Sequence, residues 1–569
     1  MASAGLSYQI LDWLNVAGRV RIDNTHSEYE GKLYASSSNT LTDGSTQGHY
    51  TVNNGQYSQT YADVLVNINK RIQDFTIVAN IGASYSGVTS KELGYAGPIR
   101  ETGSPNLFNV YDLDNAKKRA TQVGWREATE SVFASAEVGW KSMLYLTVTG
   151  RNDWASQLTH SPQASFFYPS VGLSAVITEM LKLPDWVDYL KVRGSFSSVG
   201  NPYPRFLTYP TYSYDANKQD WKSQTNYPIG KLYPERTDSW EIGLDATLFK
   251  DFKLSGSFYY ANTYNQTFDP RLPVSSGYDK LYVQTGYVRN YGFEAMLSYG
   301  HRWGDFSWDS SFTFSANKNE IVELVKDYVH PETGKTYNVD KLELKTDEGR
   351  GFGKAKFILK EGGTLGDLYT HADLKRDING NILIDDSGNV TAIDNAGDIK
   401  LGSVLPKANL AWNNSFSYKG INAGFLLTAR LGGIVYSATQ AYLDLYGVSE
   451  TSAAARDAGG VWVNGRSRVN PQSFYEVVAS QSGLPTYYTY SATNLRLQEA
   501  HIGYTIPRRW LGNVCDINVS LVGRNLWMIY CKAPFDPEAV ATTNNYYQGI
   551  DYFMMPSTRN IGFNIKINF

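Results

Sequence analysis

Residues 561–569, IGFNIKINF, alternate apolar and polar side chains up to the last position of the chain. Alternation with a period of two is typical of a strand that has one apolar and one polar face. Chain ends usually fray, so a pattern this regular indicates a paired strand whose apolar face rests on apolar material. Bilayer lipid and a packed protein interior are the two candidates for that material.

The same alternation recurs along the whole chain. WEIGLDATL (240–248), YGFEAMLSY (291–299) and INAGFLLTARL (421–431) each place apolar side chains on one face and polar or small ones on the other. Short connections alternate with long polar ones, which cover residues of about 29–56, 89–120, 200–235, 320–402, 438–492 and 531–555. This regular change of length is typical of outer-membrane barrels. The sequence therefore predicts an all-β fold, an antiparallel transmembrane β-barrel with long extracellular loops and short periplasmic turns.

The alternating segments number about 17, although such a count has low precision. They begin near residues 5, 14, 57, 74, 121, 142, 166, 188, 236, 252, 283, 305, 404, 421, 493, 514 and 556. The first and the last segment both run toward the short-turn side, and bacterial barrels usually have an even number of strands. We therefore expect an odd number of strands to be missing before the first one. Without them, the chain would expose an unpaired edge to lipid, at a cost of several kcal/mol for each unpaired backbone group.

Composition excludes several classes of protein. No apolar run approaches the roughly 20 residues of a membrane-spanning helix. The net charge of -3 and the absence of a basic arm argue against nucleic acid as a partner. Cys515 and Cys531 lie 16 positions apart on one predicted strand, roughly 50 Å at about 3.3 Å per residue, so we expect free thiols. No signal peptide precedes the first strand, so either the chain stays in the cytoplasm or its start is not the natural one; the remaining pattern favours the second interpretation.

No arrangement of residues indicates an enzyme, a cofactor or a metal site. The seven histidines form no HExxH motif, and GxSxG and P-loop motifs do not occur. RDINGNILIDDSGN (376–389) begins like a calcium loop with Asp377, Asn379 and Asn381, but its glycine comes early and the terminal glutamate is missing. An ordinary Asn-Gly hairpin turn is the favoured interpretation. The mixed-charge stretch 341–361 is interpreted as a solvated loop.

Two sets of residues are candidates for contact with a solute. The first set consists of polar residues predicted to face the barrel lumen, where they would either line a solute path or pair with one another: Arg151, Asp153, Glu241, Asp245, Glu294, Arg430 and Arg524. The second set consists of loop aromatics, whose rings could stack on sugar rings or peptide side chains, or form an aromatic girdle or pack on a partner protein: Tyr203, Tyr209, Tyr212, Tyr214, Trp221, Tyr487, Tyr488 and Tyr490.

Conspicuous blocks follow one another from residue 142 to the end of the chain. They are TGRNDWASQL with FFYPSVGLSAVITEM, LKVRGSFSSVGNP, ERTDSWEIGLDATLFKDFKLSGSFYY, VRNYGFEAMLSYG, GTLGDLY, GDIKLGSVLPKANLAWNNSFSYKG, NLRLQEAHIGYTIP, and GRNLW with FDPE. In content and order these blocks resemble the SusC/RagA family of TonB-dependent outer-membrane transporters.

The resemblance implies a 22-stranded barrel with an N-terminal plug. Residues 1–569 would be the C-terminal portion of that barrel domain, with the plug and the TonB-contact segment absent. The implied function is import of a bulky nutrient, an oligosaccharide or oligopeptide, across the outer membrane of a Gram-negative bacterium. The implied partners are a SusD-like surface lipoprotein, a TonB complex acting through the missing plug, and outer-membrane lipid. A siderophore or cobalamin receptor, a passive porin-like pore, and a soluble β-rich binding protein or glycoside hydrolase remain as alternatives.

Overall fold

The computed structural model describes residues 1–208, 212–215, 220–223, 226–227, 232–268, 280–281, 283–329, 334, 336–344, 353–542 and 548–568. Seventeen strands form one antiparallel sheet, which confirms the number expected from the alternation. In chain order they are β1 Ala2–Leu11, β2 Leu14–Leu33, β3 His49–Ile72, β4 Phe75–Pro98, β5 Arg119–Trp140, β6 Leu144–Ala155, β7 Ser165–Val176, β8 Val187–Asn201, β9 Glu235–Leu248, β10 Phe252–Phe268, β11 Val283–Trp303, β12 Phe306–Glu323, β13 Ala408–Tyr418, β14 Ile421–Leu431, β15 Asn494–Ile506, β16 Asp516–Cys531 and β17 Asn560–Asn568. The largest error in a predicted start concerns β3, which begins at His49 rather than near residue 57.

The chain divides into two compact units, and the first consists of Met1–Ser174, Ser195–Asp238 and Asn265–Gln284. Within this unit β1 to β6 pair consecutively and antiparallel. The β3–β4 ladder runs without a register shift, and each strand has 24 residues. A membrane-spanning strand needs only about 9–11 residues. The long-loop ends of these strands therefore extend well beyond the thickness of a bilayer.

The second unit consists of Ala175–Gly194, Ser239–Tyr264 and Thr285–Phe569. Within it β11 to β17 pair consecutively and antiparallel. The β15–β16 ladder shifts register between Leu497 and Glu499, and Asn525 on β16 has a φ of 52°. Such bulges redirect side chains, and they are common next to functional sites. The terminal alternation does form a strand, β17, although Phe569 lies outside the described residues.

The apolar side chains of these strands are exposed. Their exposure decides whether bilayer lipid or a packed protein interior covers this face. Ile242 in the second unit is 65% exposed and Phe563 is 77% exposed. In the first unit Val64 is 56% exposed, whereas its neighbour Asp63, on the opposite face of β3, is 4% exposed. Within the described residues no second layer covers the apolar face, so a packed protein interior is not the material that covers it. A continuous apolar surface of this kind is suited to contact with the acyl chains of lipid.

The height of the lipid-facing band in the first unit follows from the apolar residues of strand β4. Along its apolar face the residues from Phe75 to Tyr85 are apolar, and Gly87, Thr89 and Lys91 follow. Ten steps of about 3.3 Å, at a tilt of about 40°, give a height of roughly 25 Å. This value matches the apolar band of an outer-membrane barrel.

Aromatic rings form a continuous row near the short-turn ends of β10 to β14 in the second unit. Phe252 packs on Tyr299 at 4.7 Å between ring centroids, Tyr299 on Trp308 at 5.2 Å, and Trp308 stacks on Phe416 at 6.4 Å. The indole Nε1 of Trp308 donates to Asn414 Oδ1 at 3.0 Å. Aromatic side chains with a satisfied polar atom are typical of the membrane–water interface.

Two long connections of the second unit, between β12 and β13 and between β14 and β15, form a folded lobe. Its helices are α2 Ala438–Leu445, α3 Glu450–Asp457 and α4 Pro471–Val478, whereas α1 Ile177–Met180 lies between β7 and β8. The short strands outside the large sheet are Tyr212–Asp215, Asp220–Ser223, Asn226–Tyr227, Lys280–Leu281, Val325–Val329, Thr336–Val339, Lys341–Leu344, Ala355–Lys360, Asp367–Thr370, Asp373–Leu374, Ala392–Ile393, Ile399–Ser403, Ile434–Ser437, Val461–Val463, Ser467–Val469, Thr489–Ser491 and Ile550–Asp551. None of the helices in the described part of the chain has the length and apolar content of a membrane span.

The lobe corrects one expectation and confirms another. The described parts of the stretch that was expected to be a solvated loop, 341–344 and 353–361, include two strands, and Phe357 is completely buried in an apolar cluster with Leu368, Tyr436 and Phe474. The apolar side chains that cover Phe357 come from other segments of the chain, so its burial cannot be predicted from the charged residues around it. The expected hairpin turn is present: Asp377 Oδ1 accepts from the backbone N–H groups of residues 379 and 381, both at 2.8 Å.

The cysteines and the possible metal ligands can also be placed. Cys515 and Cys531 are both free thiols, as their separation along the strand predicts. Among the described residues, no group of three or more histidine, cysteine, aspartate or glutamate side chains is arranged to hold a metal ion.

Candidate functional site

The polar face of the second unit contains a cavity of about 760 Å³. Because successive side chains of a strand point to opposite faces, the strands direct alternate polar residues into it. Hydroxyl, amide and charged groups from seven strands and one connection line this cavity: Arg193, Ser255, Ser257, Glu294, Thr313, Ser315, Asn409, Thr428, Arg430, Gln498 and Glu538. We call it the charged cavity. Its volume lies in the range of pockets that enclose a small organic ligand.

Arg193 on β8 organises one side of the charged cavity. Its Nη1 donates to Asp245 Oδ2 at 2.8 Å, and its Nη2 donates to Glu241 Oε1 at 3.2 Å. Ser255 Oγ donates to the other oxygen of Asp245 at 2.7 Å. The two predicted carboxylates are therefore held together by one guanidinium that the sequence analysis did not identify. Gly243 lies between them, and a Cβ there would come within 2.4 Å of Arg193 Cζ.

Arg430 and Glu294 leave polar groups of the charged cavity without partners. Arg430 Nη2 donates to the carbonyl of Val404 at 2.7 Å. Its Nε is buried and has no hydrogen-bond partner in the described part of the chain. Glu294 forms no ion pair with any described residue. A buried donor without an acceptor is costly, so this nitrogen is a candidate to bind an oxygen atom of a solute or of water.

A second arginine, Arg496, fixes the connection that contributes Glu538. Its Nη2 lies 2.8 Å from Asp536 Oδ1 and its Nη1 lies 3.2 Å from Asp536 Oδ2, in a bidentate pair. Glu538 Oε2 lies 3.3 Å from the same Nη2, and Glu538 Oε1 accepts from Asn494 Nδ2 at 3.1 Å. Burial acts to raise the pKa of Asp536, but the hydrogen bonds from Arg496 and from the Glu538 N–H outweigh it and hold the pKa below its ordinary value.

The other predicted polar residues form ion pairs of their own. In the first unit Arg151 Nε donates to Asp153 Oδ1 at 2.7 Å and its Nη2 donates to Ser131 Oγ at 2.7 Å. Tyr168 donates from its hydroxyl to the second oxygen of Asp153. In the second unit Arg524 Nε donates to Glu499 Oε2 at 3.0 Å. These pairs satisfy one another, as expected for a wet interior.

The predicted aromatic residues divide into buried and exposed groups. Tyr203 is 4% exposed and Tyr488 is 2% exposed, so the prediction that these two rings contact a solute is wrong for this structure. The Tyr488 hydroxyl donates to Asp444 Oδ2 at 3.0 Å inside the lobe. Burial, with Asp444 close by, raises the pKa of Tyr488 above its ordinary value. Tyr487 and Tyr490 are half-buried at the surface of the same cluster.

The exposed group lies on a small hairpin of the first unit. Tyr214 pairs with Trp221 in the ladder, and their ring centroids are 5.3 Å apart in an edge-to-face arrangement. Tyr212 on the same strand is also exposed. Tyr209 lies outside the described residues. The hairpin therefore presents a small aromatic surface to solvent, as stacking on a sugar or peptide would require.

Four of the charged residues that build the site, Arg193, Arg496, Asp536 and Glu538, were missed by the sequence analysis. Arg193 lies in LKVRGSF and Asp536 and Glu538 lie in FDPE, two of the blocks that carried the family resemblance. Both blocks were recognised as family motifs, but the partners of their charged residues depend on strand register and on a connection that returns to the sheet. The motifs therefore marked these charged residues, but they did not show which of them form ion pairs with one another.

Comparisons with known proteins bear on the whole chain. A family model described as "TonB dependent receptor-like, beta-barrel" matches residues 1–526. TonB-dependent receptor P3 of Formosa agariphila is 25% identical over 473 residues, which are 77% of this chain and 45% of that protein. TonB-dependent receptor SusC of Bacteroides thetaiotaomicron is 24% identical over 433 residues, 70% of this chain and 40% of that protein.

Solved structures agree with the fold. The structure of the RagAB peptide transporter superimposes with a TM-score of 0.74 at 16% identity, and the match covers 100% of this chain and 62% of the other. The RagAB peptide importer in its "closed-closed" state gives the same TM-score at 17% identity. The chain spans about half the length of the curated relatives it matches.

Proposed function

Because this chain belongs to the TonB-dependent receptor β-barrel family, we propose that its protein imports a bulky nutrient, an oligosaccharide or oligopeptide, across the outer membrane. The membership confirms the resemblance carried by the sequence blocks and identifies the chain as part of a multi-pass outer-membrane barrel. The family consists of transporters rather than enzymes, and we propose no catalytic step.

One observation carries the proposal: the two faces of the strands are suited to different surroundings. Exposed apolar side chains such as Ile242 and Phe563 suit lipid, while the opposite face contains the charged cavity with Arg430 and Glu294. A polar interior within a lipid-facing wall is what solute passage requires. In this proposal a SusD-like lipoprotein covers the long-loop side. An inner-membrane TonB complex supplies energy through a plug region that accompanies these strands.

Uptake by the source bacterium tests this proposal. Deletion of the complete gene should abolish uptake of a fluorescent oligosaccharide or oligopeptide pool, and the intact gene should restore it. Uptake should also stop when the proton gradient is collapsed. Uptake that persists without the gradient would identify a passive pore. Loss of ferric-siderophore or cobalamin uptake, with glycan and peptide uptake intact, would identify the other receptor class.

The aromatic hairpin offers a residue-level test of solute contact. Replacement of Tyr212, Tyr214 and Trp221 by alanine in the complete transporter should lower uptake without lowering the amount of protein in the outer membrane. Tyr111→Ala is the matched control, because this tyrosine is exposed on another connection of the same unit. Unchanged binding and uptake in the triple variant would reject a role of the hairpin.

A further inference from the structure

The lipid-facing surface of the first unit has an indentation where the apolar band ends toward the long loops. A groove of about 510 Å³ lies there on the apolar face. Gly18, Val64, Ala83 and Val132 occupy one row across β2 to β5, since each lies opposite the next in the ladders. The next row consists of Val20, Ala62, Tyr85, Glu130 and Trp154. Small residues form the floor and larger ones the walls, so the groove has the shape to accept an acyl chain.

A second cavity, of about 420 Å³, follows directly on the long-loop side. Its walls carry hydroxyl groups, from Ser58, Thr60 and Thr89. Tyr85 lines both cavities. Its ring lies along β4 over Gly87, where a Cβ would come within 2.6 Å of the tyrosine hydroxyl. Tyr85 therefore joins an apolar groove to a polar one, with its hydroxyl on the polar side.

Two cations border the polar cavity. Arg126 lies opposite Thr89, and Lys91 lies opposite Gly124, one row farther out. Diagonal neighbours of this kind have Cβ atoms at most about 7–8 Å apart. Neither cation forms an ion pair with a described residue. Glu130, on the same face of β5 and four residues from Arg126, lies opposite Tyr85 and lines the apolar groove. Two unpaired cations beside hydroxyl groups form a surface suited to a phosphate group.

The height of these cations above the membrane matches a lipid headgroup. Arg126 is fourteen residues from Trp140, where β5 reaches the short-turn side. At about 3.3 Å per residue and about 40° of tilt, this separation is roughly 35 Å, or about 10 Å beyond the apolar band. The headgroup layer of a bilayer occupies this level.

We propose that the two cavities together bind one phosphorylated glycolipid of the outer leaflet. Its phosphate would lie at Arg126 and Lys91, its sugar at the hydroxyl groups, and an acyl chain in the groove floored by Ala62 and Ala83. Charge complementarity and continuity with the lipid-facing band identify a membrane lipid as the occupant rather than a protein. The inference depends on the outer-membrane location and not on which nutrient is imported.

Native mass spectrometry of the complete transporter, purified from outer membranes in mild detergent, tests this site. The wild type should retain one phosphorylated glycolipid, and the double variant Lys91→Glu with Arg126→Glu should retain at least about tenfold less. Ala62→Leu with Ala83→Leu, which fills the groove without changing charge, should also reduce retention. Lys70→Glu is the matched control, because Lys70 lies on the same face near the short-turn end.

Further measurements separate a glycolipid from other sources of phosphate. The same glycolipid without its phosphate should bind the wild type as weakly as the intact form binds the double variant, and millimolar inorganic phosphate should not displace it. Heat-modifiability on gels establishes that each variant is folded. Equal retention by the double variant and the Lys70 control, or retention of a glycerophospholipid instead, would overturn the proposal.

Discussion

At the scale of a single residue, Gly243 determines where the guanidinium of Arg193 can lie. A methyl group at this position would come within 2.4 Å of Arg193 Cζ, so Gly243→Ala must push the arginine away from Glu241 and Asp245. The atoms that must move are the far end of a flexible side chain, so the cost is that of weakening two partly exposed ion pairs, about 1 kcal/mol or less. Urea unfolding of the complete protein in lipid vesicles should show that loss. Gly194→Ala is the control, because there the nearest atom lies 3.8 Å away, and a loss of equal size in both variants would contradict the argument.

Asp536 should make stability depend on pH. Its pKa in the folded protein is below the ordinary aspartate value of about 3.9, so the folded state binds its proton less readily than the unfolded state does. The stabilisation is therefore fully present above about pH 4 and disappears as the pH falls through the lower, folded pKa. Asp536→Asn should remove this contribution, and its stability deficit relative to wild type should shrink below about pH 4.

The control for this dependence is Asp386→Asn, which alters an exposed aspartate of the lobe. This variant should follow the wild-type pH profile. Arg496→Met, which leaves the buried Asp536 carboxylate without its main partner, should cost about 3–5 kcal/mol at neutral pH. A deficit of Asp536→Asn that stays constant from neutral pH down to pH 3 would show that the Arg496–Asp536 pair does not act through charge.

At the scale of an element, the lobe of the second unit has an apolar core separate from the strands. Phe357→Ala removes a completely buried ring from that core and should destabilise the lobe by about 3–5 kcal/mol. Limited proteolysis should then cut the lobe while the strands stay folded and heat-modifiable. Lys356→Ala, at the next position, removes only a partly exposed ion pair with Glu343 and should cost at most about 1 kcal/mol. Loss of heat-modifiability in Phe357→Ala would show that lobe and strands unfold together.

The strands could be predicted from the sequence and the lobe could not, for a physical reason. The alternation in β9 or β14 is local, because a single strand between lipid and a polar interior carries its own two-faced pattern. The burial of Phe357 depends on Tyr436 and Phe474, which are far away along the chain, while lysine and glutamate neighbours give its own segment a solvated character. Helix signals did exist: Asn470 accepts from the N–H of Gln472 at 2.9 Å and precedes a proline at the first helical position.

The candidate site was predictable to a similar degree. Polar residues on the inner face, such as Glu241 and Asp245, follow from alternation alone. Their common partner Arg193 depends on how the strands stand beside one another, and a shift of one residue would turn it to the other face. The burial of Tyr488 likewise depends on its contact with Asp444 in helix α2. The face on which a side chain lies can be predicted from the alternation within its own strand, whereas its partner depends on the register between strands.

At the scale of the whole molecule, the assignment of the two faces can be tested at adjacent positions. Leu297 is on the exposed apolar face of β11, and Met296 lines the charged cavity on the opposite face at nearly the same height. An arginine facing lipid at mid-membrane costs about 2–4 kcal/mol, whereas an arginine in a polar interior does not lose its water. Leu297→Arg should therefore lower the free energy of unfolding in lipid vesicles by about that amount, and Met296→Arg should change it much less. If the two variants lose equal stability, or if Met296→Arg is the worse, lipid does not cover the face of β11 that carries Leu297.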